Sequence, residues 1–212
     1  MDLSSYKDSN GPYFRFINTG TIEPFLSLWG KKKTTYLKAK YNNPIVNKVT
    51  FKKLFPKRYE QMIKPKIIIS GIRHFESFLD EDGQYIAGKS TEIVFTKNGL
   101  SLKVALGILN SRLIGFYIKQ SYSVLGIGGG INFTIDMIKS LPTPRLDTVD
   151  IQQSIILLID RILAFTKDSD FFSNPIKQAK VKEYESQIDQ LVYELYGLTT
   201  EEITIVEGER IG

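Results

Sequence analysis

The spacing of apolar residues changes once along this chain, and that change restricts the fold more than any other feature. Before the turn sequence at Asn98 and Gly99, the apolar residues form short alternating or β-branched runs, which indicate strands. After it, leucines and isoleucines recur every three or four residues, which predicts amphipathic helices. Strands followed by helices favour the α+β class, with a mixed, mostly antiparallel sheet.

Three stretches predict the strands. Residues 11–20 alternate and are rich in aromatic side chains, and residues 67–69 are a β-branched run set off by Pro65 and Gly71. Within residues 71–99 the turn sequences DEDG and KNG separate alternating runs. We therefore expect strands joined by hairpins in this region.

The helices are predicted from periodicity and from end signals. Residues 100–119 read as one amphipathic helix that covers a sheet face, and a second helix begins at about Asp150. The end signals of the later helices are an N-cap, a first-turn proline, a closing glycine and a capping box, found at Asn174, Pro175, Gly197 and Thr199 with Glu202. We predict two domains: an α/β domain at 1–146, and a helical tail at 147–212 that packs on it or on a partner.

Composition excludes several classes of protein. No cysteine is present, which excludes disulfides and thiolate metal sites and favours a cytoplasmic protein. No apolar run reaches the roughly 18 residues that a membrane span requires. The glycine-rich stretch LGIGGG at 125–130 has neither a buried strand before it nor a helix start suited to an anion after it, which argues against a nucleotide loop.

Positive charge is concentrated at the start of the chain. Residues 1–66 contain 14 Lys or Arg and 4 Asp or Glu, although the whole chain carries only +5. A locally positive surface attracts polyanions, of which nucleic acid is the commonest. A lysine-rich face with no partner is the alternative that composition alone leaves open.

Catalytic patterns are missing from the sequence. His74 is the one histidine, and no nucleophile sequence such as GxSxG accompanies it. Metal-dependent nucleases need clustered acids next to a lysine, and no segment supplies them. The sequences NPIV and NPIK lack the second proline and the aromatic residue of the tetrapeptide that adenine methyltransferases carry. We predict that this chain holds no catalytic centre, no metal and no cofactor of its own.

Several segments together resemble a known family. They are FINTGTIEPFLSLWG, PKRYEQMIKPKIIISGI, QYIAGKSTEIVF, LGILNSRLIGFYIK, INFTIDMIKSLPTP and IDQLVYELYGLTTEEITIVEG. The chain resembles the TaqI-like C-terminal specificity domain, the target-recognition part of type II and type IIG restriction-modification adenine methyltransferases. The LGILNSRLIGFYIK helix and the INFTIDMIKSLPTP strand and turn are its more specific marks, and LGIGGGINFTIDMIKSLP then becomes a hairpin-like structural segment.

The resemblance implies double-stranded DNA as a partner, together with a methyltransferase domain or subunit, with or without a nuclease. S-adenosylmethionine is expected in that methyltransferase and not in this chain. Lysines would contact phosphates, while Arg73 and Gln84 would read base edges. The full set of predicted DNA-binding residues is Lys31, Lys32, Lys33, Tyr36, Lys38, Lys40, Arg58, Arg73, His74 and Gln84.

Three alternatives stay open at this point. The chain could be the specificity subunit of a type I-like system, or a protein-interaction module whose helices at 150–196 dock on another subunit. It could also be an enzyme that uses His74 with Asp80 or Asp82.

Overall fold

A computed structural model describes residues 4–5, 12–73, 75–97, 99–122, 131–142, 144 and 148–208. The chain forms two compact units, which are described separately. The first comprises Met1–Phe95 and Asn132–Ile135, and the second comprises Thr96–Ile131 and Asp136–Gly212. The predicted division into a domain at 1–146 and a helical tail at 147–212 stays a prediction.

The first unit contains short strands and two helices. Its strands are β1 (Ser4–Ser5), β2 (Tyr13–Ile17), β3 (Ile22–Glu23), β4 (Leu26–Ser27), β5 (Thr34–Tyr36), β6 (Ala39–Tyr41), β7 (Pro44–Asn47), β8 (Lys66–Ser70), β9 (Ile72–Arg73), β10 (Ser77–Asp80), β11 (Tyr85–Ala87), β12 (Thr91–Val94) and β13 (Ile131–Asn132, whose first residue belongs to the second unit). Its helices are α1 (Lys48–Leu54) and α2 (Pro56–Met62).

Two sheets organise this unit. The four-stranded sheet has the order β1-β7-β2-β11, in which only the β2–β11 pair is parallel, and the three-stranded sheet β10-β8-β12 is antiparallel. Three two-stranded sheets pair β3 with β4, β5 with β6, and β9 with β13. Together with the helices of the second unit, these mostly antiparallel sheets confirm the predicted α+β class.

Buried aromatic and β-branched side chains hold the two sheets. Phe14 and Phe16 of β2 join one apolar cluster, while the next residue, Ile17, joins another with Ile68 of β8. Successive side chains of a strand point to opposite faces, so β2 supplies both clusters. Residues 67–69 are fully buried, which confirms the predicted buried strand.

The prediction of hairpins within residues 71–99 was wrong. β10 and β12 flank β8 on either side, and β11 leaves them to pair in parallel with β2. The carboxylate of Asp80 accepts the backbone N–H groups of Gln84 and Tyr85 at 2.9 and 3.0 Å. Because this side chain satisfies the donors that a hairpin ladder would use, the DEDG turn redirects the chain to the other sheet.

Sequence reasoning missed the helices α1 and α2. Asn47 caps α1 by accepting the N–H of Thr50 at 3.0 Å, and Pro56 occupies the first turn of α2. These are ordinary helix-start signals. They were overlooked because each helix is only seven residues long, too short for a clear apolar stripe.

The second unit is helical. Its elements are α3 (Leu102–Leu109), α4 (Arg112–Ser121), α5 (Ile135–Lys139, which begins on the last residue of the first unit), α6 (Val149–Lys167), a 3-10 turn (Phe171–Ser173), α7 (Pro175–Tyr196) and α8 (Thr200–Gly208). No helix in the described parts of the chain is long and apolar enough to cross a membrane.

The end signals of the late helices are confirmed. Asn174 accepts the N–H of Lys177 at 3.2 Å, and Gly197 closes α7 with a φ of 69°. Thr199 and Glu202 form the reciprocal bonds of a capping box, at 2.8 and 3.3 Å.

The predicted helix at 100–119 is in fact two helices. The hydroxyl of Ser111 donates to the carbonyl of Ile108 at 2.7 Å and accepts the N–H of Ile114 at 3.4 Å, so it ends α3 and caps α4. The apolar side of α3 packs closely: a Cβ at Gly107 would lie 3.0 Å from Ile155 of α6 and 3.4 Å from Ile188 of α7. The hairpin-like reading of 125–142 also fails where the structure describes it, since residues 135–139 are helical.

A pair of acidic residues on α7 makes the stability of the chain depend on pH. Burial raises the pKa of Glu185 to about 7 and that of Asp189 to about 6, although Arg112 donates its N–H to Asp189 at 2.8 Å. Asp189 also raises the pKa of Glu185, which Lys182 and Arg112 oppose. Both folded-state values lie above the ordinary ones, so stability is lost as pH rises through them.

We expect Glu185→Gln to match the unaltered chain near pH 4 and to become progressively more stable than it up to about pH 7. The amide cannot ionise, so burying it carries no penalty that grows with pH. Urea denaturation at several pH values measures this difference. A constant difference across this range would contradict the assignment.

Candidate nucleic-acid interface

The lysine-rich segment forms a tight antiparallel hairpin. Residues 31–41, called the basic hairpin below, contain β5 and β6, paired with Thr35 opposite Lys40 and Tyr36 opposite Ala39. Thr34 and Tyr36 face inward, whereas Thr35 and Lys40 lie on the exposed face. All five predicted lysines of this segment are exposed: Lys31, Lys32, Lys33, Lys38 and Lys40. The hairpin therefore presents a positively charged surface to solvent.

Two residues at its tip adopt an unusual backbone conformation. Leu37 and Lys38 have φ values of 47° and 65°, as a two-residue turn of the primed type requires. Asn and Gly are the favoured residues at such positions, and a bulky residue there is strained. The side chain of Leu37 is 79% exposed, so burial of its apolar surface does not offset that strain.

Contacts of β5 close to the turn hold the basic hairpin on the core. The ring of Tyr36 meets Phe16 edge-on with 5.0 Å between ring centroids. The side-chain amide of Asn18 donates to the carbonyl of Thr35 at 3.1 Å, and its oxygen accepts the N–H of Ser90 at 3.3 Å. The predicted DNA-binding residue Tyr36 is thus also a packing residue of the first unit.

Ser90, which bonds to Asn18 beside the basic hairpin, also bonds to the segment before β9, the strand that carries Arg73. Gly71, directly before β9, donates its N–H to the carbonyl of Ser90 at 3.0 Å. A Cβ at Gly71 would lie 2.7 Å from that oxygen, so the close approach requires glycine. The structure describes only the backbone of Arg73, and His74 lies outside the described residues.

A second basic surface lies on α1 and α2. The ammonium groups of Lys48 and Lys52 sit over the rings of Phe14 and Tyr59, at 4.8 and 5.1 Å from the ring centroids. An open pocket of about 450 Å³ is lined by Pro12, Lys48, Val49, Lys52, Lys53 and Tyr59. The predicted residue Arg58 is exposed on α2. These helices carry charge that could also meet phosphates.

A buried ion pair fixes the backbone around Gln84. The ammonium of Lys66 is fully buried, contacts the carboxylate of Asp80 and donates to the carbonyl of Met62 at 2.6 Å. Burial lowers the pKa of Lys66, an effect that Asp80 opposes. The other side of the turn is equally constrained, because a Cβ at Gly83 would lie 2.2 Å from the carbonyl oxygen of Ile63.

The predicted residues fall into two groups at opposite ends of the parallel pair β2–β11. Asn18 and Ser90 follow these strands at one end, beside the basic hairpin and the start of β9. Gln84 precedes β11 at the other end, where Lys48 and Arg58 lie close enough to lower the pKa of Lys66. Four residues of strand separate the levels of Gln84 and Asn18, which is about 13 Å. Gln84 therefore lies at the end of β2–β11 that is opposite the basic hairpin.

Arg15 is a half-exposed cation that sequence reasoning missed. Its guanidinium lies over the rings of Trp29 and Tyr85, at 5.1 and 5.6 Å from the centroids, and donates to the hydroxyl of Tyr85 at 3.3 Å. Trp29 in turn donates its indole N–H to the carbonyl of Pro44 at 2.9 Å. The alternation YFRFI, with one cation between aromatic residues, was the available signal. Within the described residues, no cluster of three His, Asp or Glu side chains could hold a metal ion.

Comparison with known protein families identifies the family of the chain. The family model of the TaqI-like C-terminal specificity domain matches residues 22–142. The matched segment contains the basic hairpin, both basic helices, the buried ion pair and the strand of Arg73. No curated protein matches the chain.

Proposed function

Because the chain belongs to the family of TaqI-like C-terminal specificity domains, which are specificity domains of restriction-modification methyltransferases, we propose that it binds double-stranded DNA and selects the target sequence. The single observation that carries this proposal is the family match across residues 22–142, which includes the most basic part of the chain. A positive surface on a specificity domain is suited to the phosphates of a duplex.

The geometry supports different roles for the two ends of β2–β11, phosphate contact at one end and base reading at the other. Flexible exposed lysines of the basic hairpin provide charge that sets position on the backbone. The backbone N–H of Gln84 is bound by the carboxylate of Asp80, which also pairs with Lys66. A side chain on a backbone fixed in this way can hold the orientation that reading a base edge demands. A duplex contacted at both ends would span the roughly 13 Å between them.

The proposed partner is the catalytic part of a type II or type IIG methyltransferase, as a linked domain or a separate subunit. That partner would bind S-adenosylmethionine and carry out the methyl transfer, with or without a nuclease. A type I-like specificity subunit is the second form of the same function. In either form this chain supplies specificity and the partner supplies chemistry.

Selection from a pool of random 30-base-pair duplexes tests the proposal. We expect the chain to enrich one short motif and to bind it at least tenfold more tightly than a scrambled duplex at the same salt concentration. Incubation with labelled S-adenosylmethionine and magnesium is expected to leave the selected duplex unmethylated and uncut. Equal enrichment of all sequences would contradict target selection, and failure to bind any duplex would contradict the proposal as a whole.

A further inference from the structure

We propose that Leu37 is an apolar wedge, which the basic hairpin inserts from the minor groove between stacked base pairs of DNA. This inference rests on the proposed function, because it assigns a mechanical role to one residue of a DNA-binding surface. The preferred ligand would be a duplex whose base steps unstack easily.

The position of Leu37 combines two costs that a purely structural role does not explain. Its side chain is 79% exposed, and its backbone occupies the left-handed region. Asparagine or glycine at this position would relieve the backbone and remove the exposed apolar surface at the same time. Strain of this kind is a pointer to function when it occurs at an exposed tip.

The surroundings of Leu37 identify the partner as a polyanion. Lys38 follows it in the turn, and Lys40, Lys32 and Lys33 are exposed on the same hairpin. An apolar tip surrounded by ammonium groups is poorly matched to an apolar protein groove, whose rim would have to desolvate those charges. It matches a nucleic acid groove, where phosphates flank an apolar stack of bases.

The minor groove is the better fit for such a tip. Leucine has no hydrogen-bonding group, so the only base contact open to it in the major groove is the methyl group of thymine. Proteins that enter the minor groove insert apolar side chains between base steps and partly unstack them. The lysines would then lie along the phosphates on both sides of the groove.

Contacts close to the turn hold the basic hairpin on the core of the first unit. The hairpin is fixed next to its tip by the Tyr36–Phe16 contact and by the bond from Asn18 to Thr35, one and two residues before Leu37. Because the turn has only two residues, the pairing of β5 with β6 extends up to it. Contact forces at the tip are therefore carried to the core of the first unit.

The test compares the unaltered chain with Leu37→Asn on two 30-base-pair duplexes. One duplex alternates T and A, with every fourth adenine replaced by 2-aminopurine, and the other is a continuous A-tract. TA steps unstack easily, whereas A-tracts are stiff. We expect Leu37→Asn to lose about tenfold in affinity for the alternating duplex and little for the A-tract. The 2-aminopurine fluorescence should rise on saturation with the unaltered chain and stay low with the variant.

Matched variants separate the wedge from general effects. Ile176→Asn removes an equally exposed apolar side chain, 82% exposed on α7 of the second unit, and should behave as the unaltered chain. Leu37→Gly also relieves the turn and should reproduce Leu37→Asn, so a folding defect in one variant does not block the test.

Two outcomes would overturn the inference in distinguishable ways. If both duplexes are bound but Leu37→Asn and Leu37→Gly keep the affinity and the fluorescence rise of the unaltered chain, the wedge is wrong while DNA binding stands. If the unaltered chain binds neither these duplexes nor any from the random pool, the proposed function fails and the wedge fails with it.

Discussion

Replacing Asp80 with alanine is expected to lower the free energy of unfolding by about 3–5 kcal/mol. The change leaves the ammonium of Lys66 fully buried without its partner and also deprives the N–H groups of Gln84 and Tyr85 of their acceptor. An uncompensated buried charge is among the most damaging single changes in a protein. Urea or guanidinium denaturation measures the loss.

The pH dependence of the same variant identifies the cause. Asp80 opposes the lowering of the Lys66 pKa, so its removal lowers that pKa further in the folded state. The unfolded chain then binds more protons than the folded one at moderately alkaline pH, and stability rises with pH. The deficit of Asp80→Ala should therefore shrink between pH 7 and pH 10.

Lys66→Met serves as the control for this pair. It removes the buried cation but leaves the Asp80 carboxylate with its two backbone N–H donors. We expect it to cost less than Asp80→Ala and to show no such recovery at high pH. If the deficit of Asp80→Ala is as large at pH 10 as at pH 7, the damage does not come from the unpaired ammonium of Lys66.

Changing Lys31, Lys32 and Lys33 together to alanine is expected to weaken DNA binding by up to roughly a hundredfold at 0.15 M salt. If each lysine neutralises one phosphate, the slope of log affinity against log salt becomes shallower by up to about 2.7. The loss should be similar on the selected motif and on scrambled duplexes, because phosphate contacts carry no sequence information.

A control with the same change in net charge isolates the position of these lysines. The triple alanine variant of Lys167, Lys180 and Lys182, on α6 and α7, removes as much positive charge from the second unit. We expect it to keep most of the affinity and of the salt slope. Equal effects of the two triple variants would mean that overall charge, and not the basic hairpin, drives association.

Local signals predicted those elements whose causes are local. The cap at Asn174, the closing Gly197 and the capping box at Thr199 need only neighbouring residues, and all three are confirmed. The division of residues 100–119 into two helices was not predicted, because in the sequence Ser111 looks like an ordinary polar residue within an apolar stripe. The parallel partner of β11 could not be found, since Tyr85 and Arg15 are 70 positions apart and an ion pair within the core redirects the chain.

The candidate site was predictable in charge but not in arrangement. Counting lysines located the basic hairpin, whose exposure the structure shows. Arg58 and Gln84 lie apart from the basic hairpin because β7 runs antiparallel to β2. This pairing places residues 31–41 and α1 at opposite ends of β2. Asn18 bridges β5 and Ser90, and no spacing rule in the sequence indicates such a contact.

The return of Asn132–Ile135 to the first unit has a consequence for synthesis on the ribosome. Gly71 receives the N–H of Phe133 on its carbonyl at 2.8 Å, and Phe75 packs edge-on against the Phe133 ring. Residues 76–132 must be translated between the two halves of this contact, which takes roughly 3–11 s at ordinary elongation rates. During that interval the backbone edge at Gly71 is open to pairing with another nascent chain. The order of translation thus makes this edge the place where misassembly would begin.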